Sequence, residues 1–258
     1  VVASDKWNSI EITGGTHFTA GWYTIIAVNT TNNTWTLDRN CTDGSAASAM
    51  TGFYCPELIQ NAGVGHRHVG LNFEGKLNSS ATKTARVGYH VLTGPQVTGS
   101  DDYPTGQHLF EHCSWTNFDF PILCGAGMAE YGEKSVNFYG YHNDHADNLV
   151  LIHCQAYLCT DFLVVRTYLG LNFTVIGCNA FLNGSMFRFD AGGKLRATGI
   201  EIAGTAGVQR LLTLGGAVDP NNGSYTIRDF SFDGVTRNPQ LVVTEYDNIA
   251  ANIVNTVV

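Results

Sequence analysis

Apolar and polar residues alternate with a period of two through most of the chain, the spacing of strands that bury one face. In the first sixty residues this predicts strands over 9–13, 22–28 and 34–38. Gly14-Gly15 and Thr31-Asn32-Asn33 separate them, so they read as an antiparallel meander. Gly, Asn and Thr interrupt every stretch long enough for a helix, and no helix is expected.

Beyond residue 62 the alternation repeats. Setting Cys154 over Cys178, 24 residues on, aligns 154–166 with 178–190, and 113–125 fits the same frame. The spacing of 41 from Cys113 to Cys154 implies an insertion or an extra short rung. Alternation places Val150, Ile152, Cys154 and Ala156 inside, with Thr174, Ile176, Cys178 and Ala180 above them. After the next turn Ile122, Leu163 and Phe187 form one inward column, and Cys124, Val165 and Phe189 form a second. Leu212 and Leu214 continue these columns, and Leu241 and Val243 follow. Apolar residues stacked at a fixed period, with polar turns between, describe a parallel β-solenoid. The expected fold is all-β: a right-handed parallel β-helix over 63–258, with a small antiparallel β cap module over 1–62. Residues 65–258 would make roughly eight coils, or about 38 Å of stack at about 4.8 Å per strand. The C-terminal run 249–258 is apolar and lacks a polar cap, so Val254, Val257 and Val258 should be covered by another subunit or by further chain.

Composition narrows the functional classes. Charged residues are only 14% and the net charge is −8, with pI near 5.5. Without a basic run, neither nucleic acid nor insertion into a membrane is expected, and no apolar run approaches about 18 residues. Hydrophobic residues at 44% exclude disorder. The chain opens Val1-Val2-Ala3 with no initiator Met or secretory signal, and reads as processed or as the ordered part of something longer. Seven Cys with no Cys-x-x-Cys pair argue against a zinc or redox motif. Cys113, Cys154 and Cys178 share a context and are read as an interior column of reduced thiols. Cys41 and Cys55 could pair or stay reduced.

The stretch Ile12–Val28, followed by Thr36–Arg39, resembles the N-terminal module of right-handed β-helix proteins from bacteriophages and marine viral sequences. The phrase Asp147-Asn148-Leu149-Val150-Leu151-Ile152-His153-Cys154 is similar to the recurrent coil of pectate-lyase-like β-helices. This resemblance implies a virion surface protein, extracellular in its location: a tail spike, tail fibre or capsid decoration protein. It also implies a homotrimer touching other virion proteins, with a host surface glycan as a further candidate partner. Polygalacturonase-type signatures are missing, and the single Asp pair, Asp101-Asp102, lies in the loop 98–104, so a pectin-cleaving role is not carried over.

Candidate chemistry is sparse. His142, Asp144, His145 and Asp147 form the densest ligand-like cluster and could hold a divalent ion, although a solvated loop is the simpler reading; no cofactor is expected. His66 and His68 read as exposed strand residues. His112 and His153 precede column cysteines but should face outward, away from the thiols, which removes a Cys–His nucleophile. Asp190 falls over Arg166, an expected exposed ion pair outside the barrel. Phe138–Tyr141 is the best aromatic platform for a sugar ring. Sequons occur at Asn29, Asn32, Asn40, Asn78, Asn172, Asn183 and Asn222, and matter only in a eukaryotic producer. The expected function is therefore non-enzymatic and structural. The alternative is a polysaccharide depolymerase, whose acids would come from Glu111, Asp119 and Asp161; a secreted cellular adhesin is a third reading.

Overall fold

The computed structural model describes residues 1–6, 8–19, 21–37, 40–55, 57–61, 65–77, 85–91, 107–125, 147–166, 172–190, 192–204, 207–215, 223–233, 239–244 and 252–256. Among them the fold is all-β, with one short 3-10 turn at Ala3–Asp5.

The N-terminal sheet is antiparallel, in the order β3(Thr34–Leu37), β2(Gly21–Asn29), β1(Ser9–Thr16), β4(Ser48–Cys55). Ile10, Ile12, Tyr23 and Ile25 form its core, with Trp35, Leu37 and Tyr54 packed against them. Two expectations change here. Gly14-Gly15 does not end β1; the strand runs through it with register shifts against β4, because a bulge absorbs the extra residue. The fourth strand, β4, has no clean alternation, and the meander reading omitted it.

All remaining strands pair in parallel, in three ladders that the chain visits in rotation. The first ladder takes β6(Arg67–Val69), β9(Leu109–Glu111), β12(Val150–Ile152), β15(Phe173–Ile176) and the first half of β18(Lys194–Ala203). It continues into β20(Ser224–Phe232) and β22(Asn252–Thr256). The second takes β7(Asn72–Glu74), β10(Ser114–Thr116), β13(Gln155–Cys159), β16(Asn179–Leu182), the second half of β18 and, paired with it, the end of β20. The third takes β5(Glu57–Asn61), β8(Val87–Val91), β11(Phe120–Cys124), β14(Leu163–Val165), β17(Ser185–Phe189), β19(Arg210–Leu214) and β21(Gln240–Thr244). The third ladder begins at Glu57, before the end of the N-terminal module that the sequence outlined. Because β18 pairs with β15 over Leu195–Thr198 and with β16 over Glu201–Ala203, the first two ladders are one sheet of eleven strands, curled at that corner. Seven strands of the third ladder lie among the described residues. Ser114 pairs with Gln155 on the neighbouring rung, so the long spacing from Cys113 to Cys154 is an insertion and not a rung.

One buried cluster lies between the ladders, including Trp115, Phe110, Leu151, Leu163, Val175, Phe187, Phe189, Leu212 and Leu214. Each such side chain, fully buried, contributes roughly 1.5–3 kcal/mol. The third-ladder columns stack as the period predicts: Ile122 on Leu163 on Phe187 on Leu212, and Cys124 on Val165 on Phe189 on Leu214. The last rung departs by one residue. Val242 and Thr244 occupy the columns, and Leu241 is exposed.

The first ladder reverses the expected parity. Leu151, Phe173 and Val175 point inward, while Ile176 is 38% exposed and Val150, Ile152 and Thr174 are half-buried on the outer side. The cause is the corner that follows. Gly70, His112, His153, Gly177, Gly199 and Asp229 occupy the same place on successive rungs, and all have φ between 50° and 66°. One left-handed residue per turn interrupts the pleat, so alternation restarts after it with Cys154, Ala156, Cys178 and Ala180 inside. Glycine at 177 leaves room for its neighbour, since a Cβ there would lie 2.5 Å from the His153 ring.

Candidate functional site

The register of the column thiols follows from the same corner. Cys113, Cys154 and Cys178 are buried and unbridged. The Cys154 N–H lies 3.4 Å from the Cys178 Sγ, and the Cys154 thiol donates to the Phe110 carbonyl at 3.4 Å. Burial pushes the Cys113 thiol up, and the adjoining Cys154 thiol together with burial does the same to Cys178. A raised thiol is a poor nucleophile. His112 and His153 lie on the outer side, their rings stacked at 5.3 Å, facing away from these sulfurs. Cys41 is a free, half-buried thiol.

The acids of the depolymerase alternative divide between two places. Glu111 sits on the outer side of the first ladder and accepts from Arg67 at 2.9 Å. Its charge needs no place in the core, because the corner inversion turns its column outward. Asp119 and Asp161 lie on adjacent rungs where the second ladder turns into the third; the Asp119 carbonyl accepts from the Asp161 N–H at 2.9 Å. Arg86 donates to the Asp119 carboxylate. Asp161 accepts from the Ser185 N–H at 2.6 Å and lies 3.8 Å from an Arg188 nitrogen. Burial raises the Asp161 carboxyl above its ordinary range, against the pull of Arg188. Glycine at 184 keeps this carboxylate in place, for a Cβ there would come within 2.5 Å of it.

The expected Arg166–Asp190 pair is not formed. Asp190, just past the end of β17, accepts instead from Arg188 at 2.8 Å, two residues back. Arg166 is 1% exposed; its guanidinium donates to the Gly125 carbonyl at 2.8 Å and lies 3.2 Å from His90. His90 is itself buried between that carbonyl and Glu57, each at 2.8 Å. Arg166 follows the last residue of β14, where the strand pleat has ended, so alternation no longer fixes its direction. This Glu57–His90–Arg166 group was missed because its two contacts join residues 33 and 76 apart in sequence that share no local motif.

His66 and His68 also depart from the exposed reading. His66 stacks on His108 at 5.2 Å and His68 on Phe110 at 4.7 Å. His68 Nε2 lies 3.1 Å from the Tyr89 hydroxyl. They line the inner face where the first ladder starts. Burial, then the charge of His66, hold the His68 imidazole below its ordinary value.

Asp147 is half-buried, and its carbonyl accepts from the Gln107 N–H at 2.8 Å. The rest of the ligand-like cluster, His142, Asp144 and His145, lies outside the described residues, as do Asp101-Asp102 and Phe138–Tyr141. Among the described residues no group of three or more His, Cys, Asp or Glu is placed to hold a metal ion, and no helix is long and apolar enough to cross a membrane. The C-terminal Val257 and Val258 are likewise outside the described residues.

A surface feature that no motif announced lies on the outer face of the second ladder. In-register pairing stacks Gln155, Asn179 and Glu201 in one outward column and Tyr157, Phe181 and Ala203 in another. Between them the inward-turned Ala156 and Ala180 leave a trough of about 230 Å³. Tyr157 is 54% exposed, and its ring lies 5.4 Å from that of Phe181. The signal was present in the alternation, but only the register, known after folding, brings the two columns side by side.

Comparison with protein-family models, with curated proteins and with solved structures finds no match for this chain.

Proposed function

We propose that this protein is a non-enzymatic structural component of a virion surface: a stiff, closed, right-handed parallel β-helix that assembles as a homotrimer outside the cell. The observation that carries the reading is the rotation of one chain through three parallel ladders around a continuous core. Such a core stiffens a rod along its axis and leaves the side faces free to contact other virion proteins or a receptor. The resemblance of Ile12–Val28 and Thr36–Arg39 to phage and marine viral β-helix sequences supports the viral assignment, and that of Asp147–Cys154 to pectate-lyase-like coils supports the β-helix. The structural reading is also favoured by how the corner acids are used, since Asp119, Asp161 and Asp190 each face an arginine or accept a backbone N–H.

A depolymerase remains the second reading because Asp119 and Asp161 are neighbours and burial raises one of them, the asymmetry that acid–base pairs use. Incubation with bacterial capsular polysaccharide or lipopolysaccharide separates the two. The structural reading expects no new reducing or unsaturated ends; their release, abolished by Asp161→Asn, would replace it with the enzymatic one. Sedimentation should give three times the 27.9 kDa chain mass, and a monomer would contradict the trimer.

A further inference from the structure

We infer that His112 and His153 together bind one divalent transition-metal ion of the zinc, nickel or copper class, on the outer side of the corner that follows the first ladder. The site needs only the register of β9, β12 and β15, and so stands apart from the virion assignment.

The backbone sets the pair up. This corner takes one left-handed residue per rung, and Gly70, Gly177 and Gly199 fill it on three of them. Two adjacent rungs carry histidine instead, at φ 52° and 51°. A residue other than glycine is uncommon in that conformation, and such residues gather where the side chain is used. The His112 N–H donates to the Ile152 carbonyl at 2.9 Å, and the His153 N–H to the Ile176 carbonyl at 2.8 Å. The two histidines are thereby fixed one strand spacing apart, about 4.8 Å. Both are exposed, and their rings stack at 5.3 Å with planes 15° apart. On the next rung the His153 ring meets Gly177, where a Cβ would come within 2.5 Å of Nδ1. Glycine at 177 is thus what lets the second ring stand in line with the first.

The rings are free to act as ligands. None of their four nitrogens hydrogen-bonds to another described residue, and a neutral imidazole offers one lone pair to a metal. An ion about 2.0–2.1 Å from each nitrogen needs those nitrogens about 3–4 Å apart. Rings that start 5.3 Å apart reach this by turning about χ2, whose energy well is broad, with no movement of the backbone.

The donor set selects the metal. Glu111 and Arg67, on the outer face beside this corner, pair with each other at 2.9 Å. Among the described residues no third His, Cys, Asp or Glu completes a set of ligands. Two imidazole nitrogens with water in the remaining positions suit zinc, nickel or copper(II), whereas calcium and magnesium need oxygen donors. The ion would join rungs whose corner residues lie 41 apart in sequence, a removable clip across a long loop.

The test is titration of the full chain with zinc, nickel and copper(II) chlorides, by calorimetry and by melting with and without EDTA. At least one ion should bind saturably, one per chain, and raise the melting temperature. His112→Asn and His153→Asn keep a residue suited to the left-handed corner, and each should weaken that binding about tenfold or more. In the copper-loaded protein, electron paramagnetic resonance should show two nitrogen ligands, and one in either variant. His153→Gly, a residue that neighbouring rungs already use at this corner, should give the same loss, so a misfolded Asn variant does not end the test. Absence of saturable binding by all three ions at millimolar concentration overturns the inference. So does binding that none of these variants changes, which places the ion on other histidines. Equal affinity for calcium overturns the donor argument.

Discussion

Leu151 and Ile152 are adjacent, similar in size and equally apolar, yet the corner inversion gives them opposite fates. Leu151 is 0% exposed, pairs in register with Phe110 and Val175, and belongs to the main core cluster. Ile152 is half-buried in the outer column between Glu111 and Ile176. Leu151→Ala therefore removes buried methyl groups from a site walled by β-strands on both neighbouring rungs, which cannot collapse around the cavity. It should cost about 2–5 kcal/mol. Ile152→Ala removes carbons that already touch water, and should cost about 1 kcal/mol or less. Urea unfolding followed by tryptophan fluorescence measures both, provided the transition is reversible and the slope is unchanged between variants. Strict alternation from Cys154 backwards gives the opposite order, with Ile152 inside. A larger loss for Ile152→Ala than for Leu151→Ala would therefore refute the left-handed corner and the register built on it.

Three further outcomes follow from the packing. The His68 imidazole is held below its ordinary value by burial and by His66, so the unfolded chain takes up the proton more readily. Its contribution to stability is full above the unfolded value near 6.5 and falls as the pH drops below it; His68→Gln should show a smaller drop in melting temperature between pH 7.5 and pH 5 than the natural chain, and an equal drop would contradict this. A Cβ on Gly204 would lie 2.2 Å from the Leu182 carbonyl and 2.6 Å from Gln209, so Gly204→Ala should lower stability by about 1–3 kcal/mol through overpacking, and a neutral melt would show that the corner gives way. Cys113, Cys124, Cys154, Cys159 and Cys178 are buried and free; peptide mapping should find them unlabelled by a thiol reagent in the native protein and fully labelled in denaturant without reductant, whereas a disulfide among them would contradict the column.

Much of the fold was legible because the third ladder obeys simple rules. Its strands alternate without interruption, so a spacing of 24 residues predicts that Leu163 lies on Ile122 and under Phe187. The first ladder was misread because its corner carries one left-handed residue per turn. Four of those six positions are Gly or Asp, which suggest a turn; His112 and His153 do not, and they hid the phase change. Asymmetry in burial was also invisible. Arg166 reads as an outward charge, yet it is buried against His90 and the Gly125 carbonyl, partners brought together by pairing across the third ladder. Of the trough, only Ala156 and Ala180 were placed from the sequence, correctly inside; the outward columns beside them emerge from the register of the strands.

Distance along the stack tests the central claim most directly. In-register pairing places Asn72, Ser114, Gln155, Asn179, Glu201 and Ser231 in one outward column. With Cys41 and Cys55 replaced by serine, spin labels introduced at Asn72 and Glu201, and then at Asn72 and Ser231, span four and five rungs. Pulsed electron resonance should give separations of about 19 Å and about 24 Å, at about 4.8 Å per rung. Equal separations, or a shorter one for the Ser231 pair, would contradict a chain that rises by one strand on every passage through the three ladders.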